Sequence, residues 1–342
     1  MKPLVSSTPE ILGCSNCPAE RACFRFDQGF AKCPACEVQW AVGPHGSINS
    51  LTNPAQSVLH EIDGMRSEHP ELFPTRESFI FQQVDQLVTL DALIQREEGS
   101  PKNYYRSTYL NFLHAFEQLN LTGSERVLEV GAVNDFPFLQ KFRDRGCECF
   151  ATNLYLRYEK DREPIAQVVL GDMNALPYRN GVFDVVLLSA TSHHSPDLPG
   201  LMAELSRVVR PGGYVLLLND PTHGLLKHSL DRFGYGTRKG GDRHDLVNEN
   251  EYSAAAYHRL AKSNGFNVVD SFFSVYYDEK LQSGKVGGVR FAPLAKLVSV
   301  VWRVAPLRAF LKTVGFYPAQ MLLGLELNMT LKKNADLPAG KA

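Results

Sequence analysis

From Arg126 onward, short apolar runs alternate with segments of helical period. RVLEVGA, ECFATN, AQVVLGD, FDVVLLSA and GYVLLLND each read as buried strands. Between them, PFLQKFRDRG and LMAELSRVVRPGG carry apolar residues three and four apart, the period of a helix. Near-continuous apolar strands separated by helices predict a mostly parallel sheet covered on both faces, an α/β doubly wound architecture. EYSAAAYHRLAKSNG predicts a further helix, and NVVDSFFSVYYD a strand after it. LELNMTLKK alternates with period two and predicts a final edge strand. Upstream, YYRSTYLNFLHAFEQLN reads as a helix leading into the first strand. SFIFQQVDQLVTLDALIQREEG reads as an amphipathic helix stopped at Gly99 and Pro101.

Pairing of the last two strands as a hairpin makes residues 279–323 an insertion between them. Its FAPLAKLVSVVWRVAPLRAFLKTVGF is apolar with sparse basic residues, the pattern of an amphipathic helix broken at Pro306. A helical cap on the core, a substrate lid or dimer surface, and peripheral membrane contact through residues 291–316 all fit that pattern. Lys296, Arg303, Arg308 and Lys312 interrupt the stretch, which argues against a transmembrane helix. The chain thus divides into a cysteine-rich segment (1–53), a helical connector (54–103), a larger domain (104–333) that holds the insertion, and a tail (334–342).

The 342 residues are 44% hydrophobic and 21% charged, an ordinary globular composition with room for a catalytic domain and one smaller module. A formal net charge of -1 supplies no global positive field, which argues against a nucleic-acid partner. The opening MKPLVSSTPEILGC lacks a charged start followed by an apolar stretch, so no secretory signal is expected in it. Seven cysteines, four of them in two CxxC pairs, point to metal binding in a reducing compartment and so to the cytoplasm.

Cys14 and Cys17 form one pair, Cys33 and Cys36 the other. Each pair places two thiolates on a tight turn, and two such turns facing each other supply a closed tetrahedral shell for a structural zinc ion. A rubredoxin-like iron site and a thiol redox pair are the alternatives, and Cys23 between the pairs reads as a buried thiol. The runs GCSNCPAE and FAKCPACEVQWAVGPHGSIN resemble the zinc ribbons fused ahead of some bacterial methyltransferases. They are also similar to the zinc-ribbon activator subunit of tRNA, rRNA and protein methyltransferases.

The stretch AQVVLGDMNALPYRNGVFDVVLLSATSHHSPDLPGLMAELSRVVRPGGYVLLLND resembles class I S-adenosylmethionine-dependent methyltransferases of the broad small-molecule type. The resemblance covers residues 105–332. It implies a Rossmann-like sheet that binds S-adenosylmethionine, and methyl transfer to O, N or C of a small metabolite or a sugar-containing intermediate. It also implies a cofactor site of Glu129, Gly131, Ala132, Asn153, Asp172, Met173 and Ser189, with Asp172 accepting a hydrogen bond from the adenine amino group and Met173 beside the ring.

Two departures from the family pattern stand out. The first loop, Glu129-Val130-Gly131-Ala132-Val133-Asn134-Asp135, keeps only the first of three usual glycines. Asn134 or Asp135 is left to contact the cofactor's amino group. Asn153 replaces the acidic residue that commonly holds the ribose hydroxyls, and an amide there loses charge assistance worth on the order of 1 kcal/mol.

His193 and His194 follow the fourth strand, where the methyl group would point. They read either as a general base or as packing around the cofactor. His223 and His228 are weaker candidates for the same work. GYGTRKGGDRHDLVNENEY, with Arg238, Lys239, Arg243, His244 and Glu249, reads as a substrate mouth or as a solvated loop. Tyr104, Tyr105 and Arg106 read as core or as a cover over the cofactor. Two other functions fit the pattern: an RNA methyltransferase, and a non-catalytic module that kept the fold and lost the cofactor. A dehydrogenase does not, because GAVNDF lacks the G-x-G-x-x-G fingerprint.

Overall fold

The computed structural model describes residues 8–14, 17, 24–27, 29–51, 54–67, 70–98, 103–132, 136–162, 165–223, 250, 252–272, 274–283, 300–310 and 326–335. In chain order the strands are β1 (Arg25–Asp27), β2 (Phe30–Lys32), β3 (Gln39–Val42), β4 (Ile48–Asn49), β5 (Phe81–Gln83), β6 (Arg126–Val130), β7 (Glu148–Asn153) and β8 (Leu156–Tyr158). They continue as β9 (Gln167–Leu170), β10 (Phe183–Ser189), β11 (Val209–Asp220), β12 (Thr222–His223), β13 (Tyr252–Ser253), β14 (Phe266–Ser271) and β15 (Leu327–Lys333). The helices are α1 (Thr8–Ile11), α2 (Gln56–Ser67), α3 (Arg76–Ile80), α4 (Leu90–Arg96), α5 (Tyr104–Glu117), α6 (Pro137–Asp144), α7 (Leu198–Val208), α8 (Ala254–Ser263), α9 (Val275–Ser283) and α10 (Ala305–Phe310).

One eleven-stranded sheet runs in the order β1-β2-β3-β4-β9-β7-β6-β10-β11-β15-β14. Its middle, β9 to β11, is parallel, and β15 is antiparallel to both β11 and β14. The central strands are buried along nearly their whole length because helices cover both faces. Against one face pack α5 and α6, through Phe112, Phe116, Phe138 and Phe142. Against the other pack α7 and α8, through Leu201, Met202, Leu205 and Tyr257. Asp197 caps α7 by accepting the Gly200 N–H at 3.0 Å, and Asn103 caps α5 by accepting that of Arg106 at 2.9 Å.

The cysteine-rich segment does not stand apart from this sheet. β4 pairs in parallel with β9, Ile48 opposite Val169 and Asn49 opposite Leu170, so β1 to β4 extend the sheet edge. Phe24, Trp40 and Ile48 share the core that α7 covers, and the Phe24 and Trp40 rings stack at 4.1 Å. A second seam holds the chain start: the Gly13 N–H donates to the Pro177 carbonyl at 3.1 Å, and that of Arg179 to the Ile11 carbonyl at 2.8 Å. A Cβ added at Gly13 would stand 2.5 Å from the Tyr178 carbonyl oxygen, so only glycine permits this approach.

Three expectations need correction or qualification. β15 is not an edge strand: it lies between β11 and β14, and β14 forms the edge with Val268 and Val269 exposed. The period-two pattern of LELNMTLKK misleads because its polar members, Asn328 and Thr330, are themselves fully buried. The single connector helix expected over 78–99 is instead α3, the strand β5 and α4. Thr75 and Thr89 cap the two helices, and β5 pairs in parallel with β8 between them. The expected stop at Gly99 and Pro101 lies outside the described residues. Of the 279–323 insertion, the end of α9 and residues 300–310 are described; Val300, Val304, Leu307 and Phe310 are exposed there. Among the described residues, no helix is long and apolar enough to cross a membrane.

The carboxyl ends of β10 and β11 and the amino end of β15 are tied by a buried amide network. Asn219 adopts φ +61°, a left-handed conformation that asparagine tolerates. Its side chain donates to Ser189 Oγ at 2.9 Å and accepts from Asn111 Nδ2 at 2.8 Å. Asn111 also lies 3.4 Å from Glu326 Oε2, and burial pushes the Glu326 carboxyl up to about 7.

Two predictions follow from this packing. Trp40→Ala lowers the urea-unfolding free energy by about 3–5 kcal/mol, in one transition of the full chain, because the cysteine-rich segment and the sheet share a core. The second concerns pH. Folded Glu326 keeps its proton up to about pH 7, whereas an ordinary glutamate releases it near 4.5. The folded state therefore binds the extra proton between those values, and stability falls as pH rises through the window. Glu326→Gln removes that fall, on the order of 2 kcal/mol between pH 5 and 7.5, measured as unfolding free energy against pH.

Candidate active site and four-cysteine centre

A cavity of about 510 Å³ opens at the carboxyl ends of β6, β7, β9 and β10. This is the crevice beside the reversal of strand order between β6 and β10, where doubly wound sheets bind ligands. Six of the seven residues expected to hold the cofactor line it: Glu129, Gly131, Asn153, Asp172, Met173 and Ser189. Ala132 lies behind that wall, beside a small adjoining cavity with Phe136. Asn134 and Asp135 fall outside the described residues.

Gly131 has φ +75°, and a Cβ there would overlap the Thr191 side chain. The first loop can therefore approach the turn after β10 only because this one glycine is kept. Asn153 is engaged within the protein. Its Nδ2 donates to the Ala132 carbonyl at 2.6 Å, and its Oδ1 accepts from the Leu154 N–H at 2.7 Å. The amide thus ties the end of β7 to the start of the first loop at Ala132. Asp172 accepts the Asn174 N–H at 2.8 Å, and burial raises its carboxyl above the ordinary value. A carboxylate in a largely desolvated crevice is a strong acceptor for a ligand amine.

The two histidines diverge. They follow each other in one turn of 3₁₀ helix, Ser192–His194, so their side chains leave the backbone in different directions. His193 does not line the cavity. Its Nδ1 is 2.9 Å from Oδ1 of the fully buried Asp220, which also accepts the His193 backbone N–H at 3.1 Å. The His193 ring is anchored to the end of β11. His194 does line the cavity, with Nδ1 3.1 Å from Glu61 Oε1, and the two imidazole rings lie 4.3 Å apart.

Several wall residues escaped sequence reasoning. Glu61 and Val58 come from α2, Leu90 and Arg96 from the start and end of α4, and Thr191 from the turn after β10. Tyr104 and Tyr105, read as core or cover, both line the cavity. Nothing local in HEIDGM marks Glu61 as part of a site more than a hundred residues away. His223 is placed in β12, away from the wall. His228, Arg238, Lys239, Arg243, His244 and Glu249 lie outside the described residues.

The sulfur atoms of Cys14, Cys17, Cys33 and Cys36 lie within 4.8 Å of one another. Cys14 and Cys36 are 3.4 Å apart, and Cys17 and Cys33 are 3.8 Å apart. Four thiolates about 2.3 Å from one tetrahedral ion stand about 3.8 Å from each other, so these residues fit a metal centre. The turns are built for it: the Cys17 N–H donates to the Cys14 carbonyl at 3.1 Å, and that of Glu37 to the Cys33 carbonyl at 2.9 Å. The Val38 N–H holds the Cys36 thiol down at about 7, while its hydrogen bond to Cys36 pushes Cys17 up to about 11. Cys23 lies outside the described residues.

The family model for a methyltransferase domain matches residues 128–217, which run from β6 into β11. The phthiotriol/phenolphthiotriol dimycocerosates methyltransferase of Mycobacterium leprae is 33% identical over 114 residues, covering 31% of this chain and 42% of that protein. The malonyl-acyl-carrier-protein O-methyltransferase of Serratia marcescens is 30% identical over 124 residues, covering 35% and 46%. The chain thus spans less than half the length of these relatives. A solved chain from a complex between the Haloferax volcanii Trm112 methyltransferase activator and a methyltransferase is 16% identical. It covers 72% of this chain and 97% of that one, at a TM-score of 0.44. By the family-model match, the stretch from β6 into β11 resembles a methyltransferase domain.

Proposed function

We propose that the protein transfers a methyl group from S-adenosylmethionine to O, N or C of a small metabolite or sugar-containing intermediate, with zinc as a structural ion in its four-cysteine centre. One observation carries the reading: the crevice at the β6–β10 reversal brings Glu129, Gly131 and Asp172 to one wall. Asp172 holds the adenine amino group, Met173 lies beside the ring, and Gly131 admits the methionine part. When bound, the cofactor supplies an electrophilic methyl carbon on a sulfonium. His194 lines the crevice just beyond β10 and takes the acceptor's proton as general base. Methyl transfer is an in-line displacement, so orientation by the walls supplies much of the rate. Relatives named for lipid, acyl-carrier and sarcosine/dimethylglycine substrates support a small acceptor.

The closed thiolate shell leaves no position for water or substrate, which supports a structural role for zinc. Paired CxxC thiolates need reducing surroundings, which supports a cytoplasmic location.

Calorimetric titration with S-adenosylmethionine tests the cofactor site. Asp172→Ala weakens binding by about 10- to 100-fold, the cost of one charged hydrogen bond of roughly 1.5–3 kcal/mol; equal affinity in both proteins removes Asp172 from the site. Metal analysis tests the other centre. Wild type carries zinc, whereas Cys33→Ser loses it and unfolds at lower temperature, since metal binding and folding of such a segment are linked.

A further inference from the structure

Helix α2 belongs to the connector, yet it delivers a carboxylate to the crevice. Its inward side carries Val58, Ile62 and Gly64, and among them Glu61, which is 5% exposed. Burying a carboxylate beside apolar neighbours costs several kcal/mol unless a partner offsets it. The partner is His194, whose Nδ1 lies 3.1 Å from Glu61 Oε1. The contact joins residues 133 positions apart in the chain, so only the folded connector makes it.

We propose that Glu61 is a positioning residue for His194: its carboxylate beside the ring steadies the imidazolium, so that α2 completes the methyl-transfer site. The proposal rests on His194 being the base. A carboxylate 3.1 Å from Nδ1 favours the protonated ring. As the acceptor atom bonds the methyl carbon, the carbon–sulfur bond breaks and its electrons stay on sulfur. The acceptor's proton passes to the ring, and the resulting imidazolium faces the Glu61 carboxylate. The side chain of His194 is 32% exposed and that of Glu61 only 7%, so the ring meets the ligand space while its partner is shielded from water.

The neighbouring pair makes the contrast. His193 is joined to the buried Asp220 and packs at a tilt against His194, ring centroids 4.3 Å apart, without lining the crevice. Other titratable groups on the same cavity come from different elements: Glu129 on β6, Asp172 after β9, Arg96 on α4, Tyr104 and Tyr105 on α5, Tyr155 before β8 and Arg157 on β8. Their charges set a background common to wild type and variant.

The test is a proton NMR titration of the His194 ring in the full chain, assigned with His194→Asn, in wild type and Glu61→Gln. Loss of an opposite charge at this distance lowers the midpoint by about one pH unit or more. Glu61→Asp recovers part of the shift. Circular dichroism on each variant checks that the chain is folded. The companion readout is methyl label passed from labelled S-adenosylmethionine to a protein-free small-molecule filtrate of cell extract. Its acid limb moves with the His194 midpoint in Glu61→Gln. An unmoved His194 midpoint overturns the role of Glu61 even where His194→Asn is inactive. A moved midpoint with full label transfer by His194→Asn overturns the base reading instead, and with it any catalytic purpose of the pair.

Discussion

The parallel ladder between β4 and β9 governs how the parts of this molecule meet. Without β4, the outer edge of β9 would present unpaired N–H and C=O groups at the flank of a buried sheet. The pairing of Ile48 with Val169 and of Asn49 with Leu170 covers that edge. Ser50 then adds hydrogen bonds from its Oγ and its N–H to the Leu170 carbonyl, at 2.6 and 3.0 Å. Asp172 stands two residues past Leu170, so the same contacts that dock the cysteine-rich segment also steady an acid of the crevice. Helix α2, next along the chain, brings Glu61 to the same cavity. Sheet edge, connector and crevice are thus one mechanical unit.

The unusual first loop makes sense within that unit. Glycines normally let such a loop pass close to a ligand, and this chain keeps just Gly131, where the Thr191 side chain leaves no room for a Cβ. Where the family commonly has an acid for the ribose, Asn153 grips the loop through the Ala132 carbonyl. Behind it, the network of Asn111, Asn219 and Ser189 holds the ends of β10 and β11 in register with β15.

Much of the architecture was legible in the sequence because its signals are local. Apolar runs and helical periods located β6, β7, β9, β10 and β11 with α5, α6 and α7, since burial on both faces leaves a continuous hydrophobic mark. Spacing alone singled out the four cysteines, because two tight turns with two thiolates each have few other uses. Asp172 and Gly131 were legible as motif residues at strand ends. The local signals misled where burial was not apolar: Asn328 and Thr330 imitated an edge strand, and β5 was hidden inside an apparent helix.

Tertiary structure decided what depends on distant segments meeting. Whether His193 or His194 faces the crevice follows from Asp220 capturing one ring and Glu61 approaching the other, and neither partner is near them in the chain. That β1 to β4 extend the catalytic sheet follows from a hydrogen-bonded edge, and backbone N–H and C=O groups are the same in every sequence. Side-chain pattern therefore determined which elements form and which residues are candidates for chemistry. Which of those residues share a cavity was decided only by packing, because proximity across a hundred residues leaves no periodic trace along the chain.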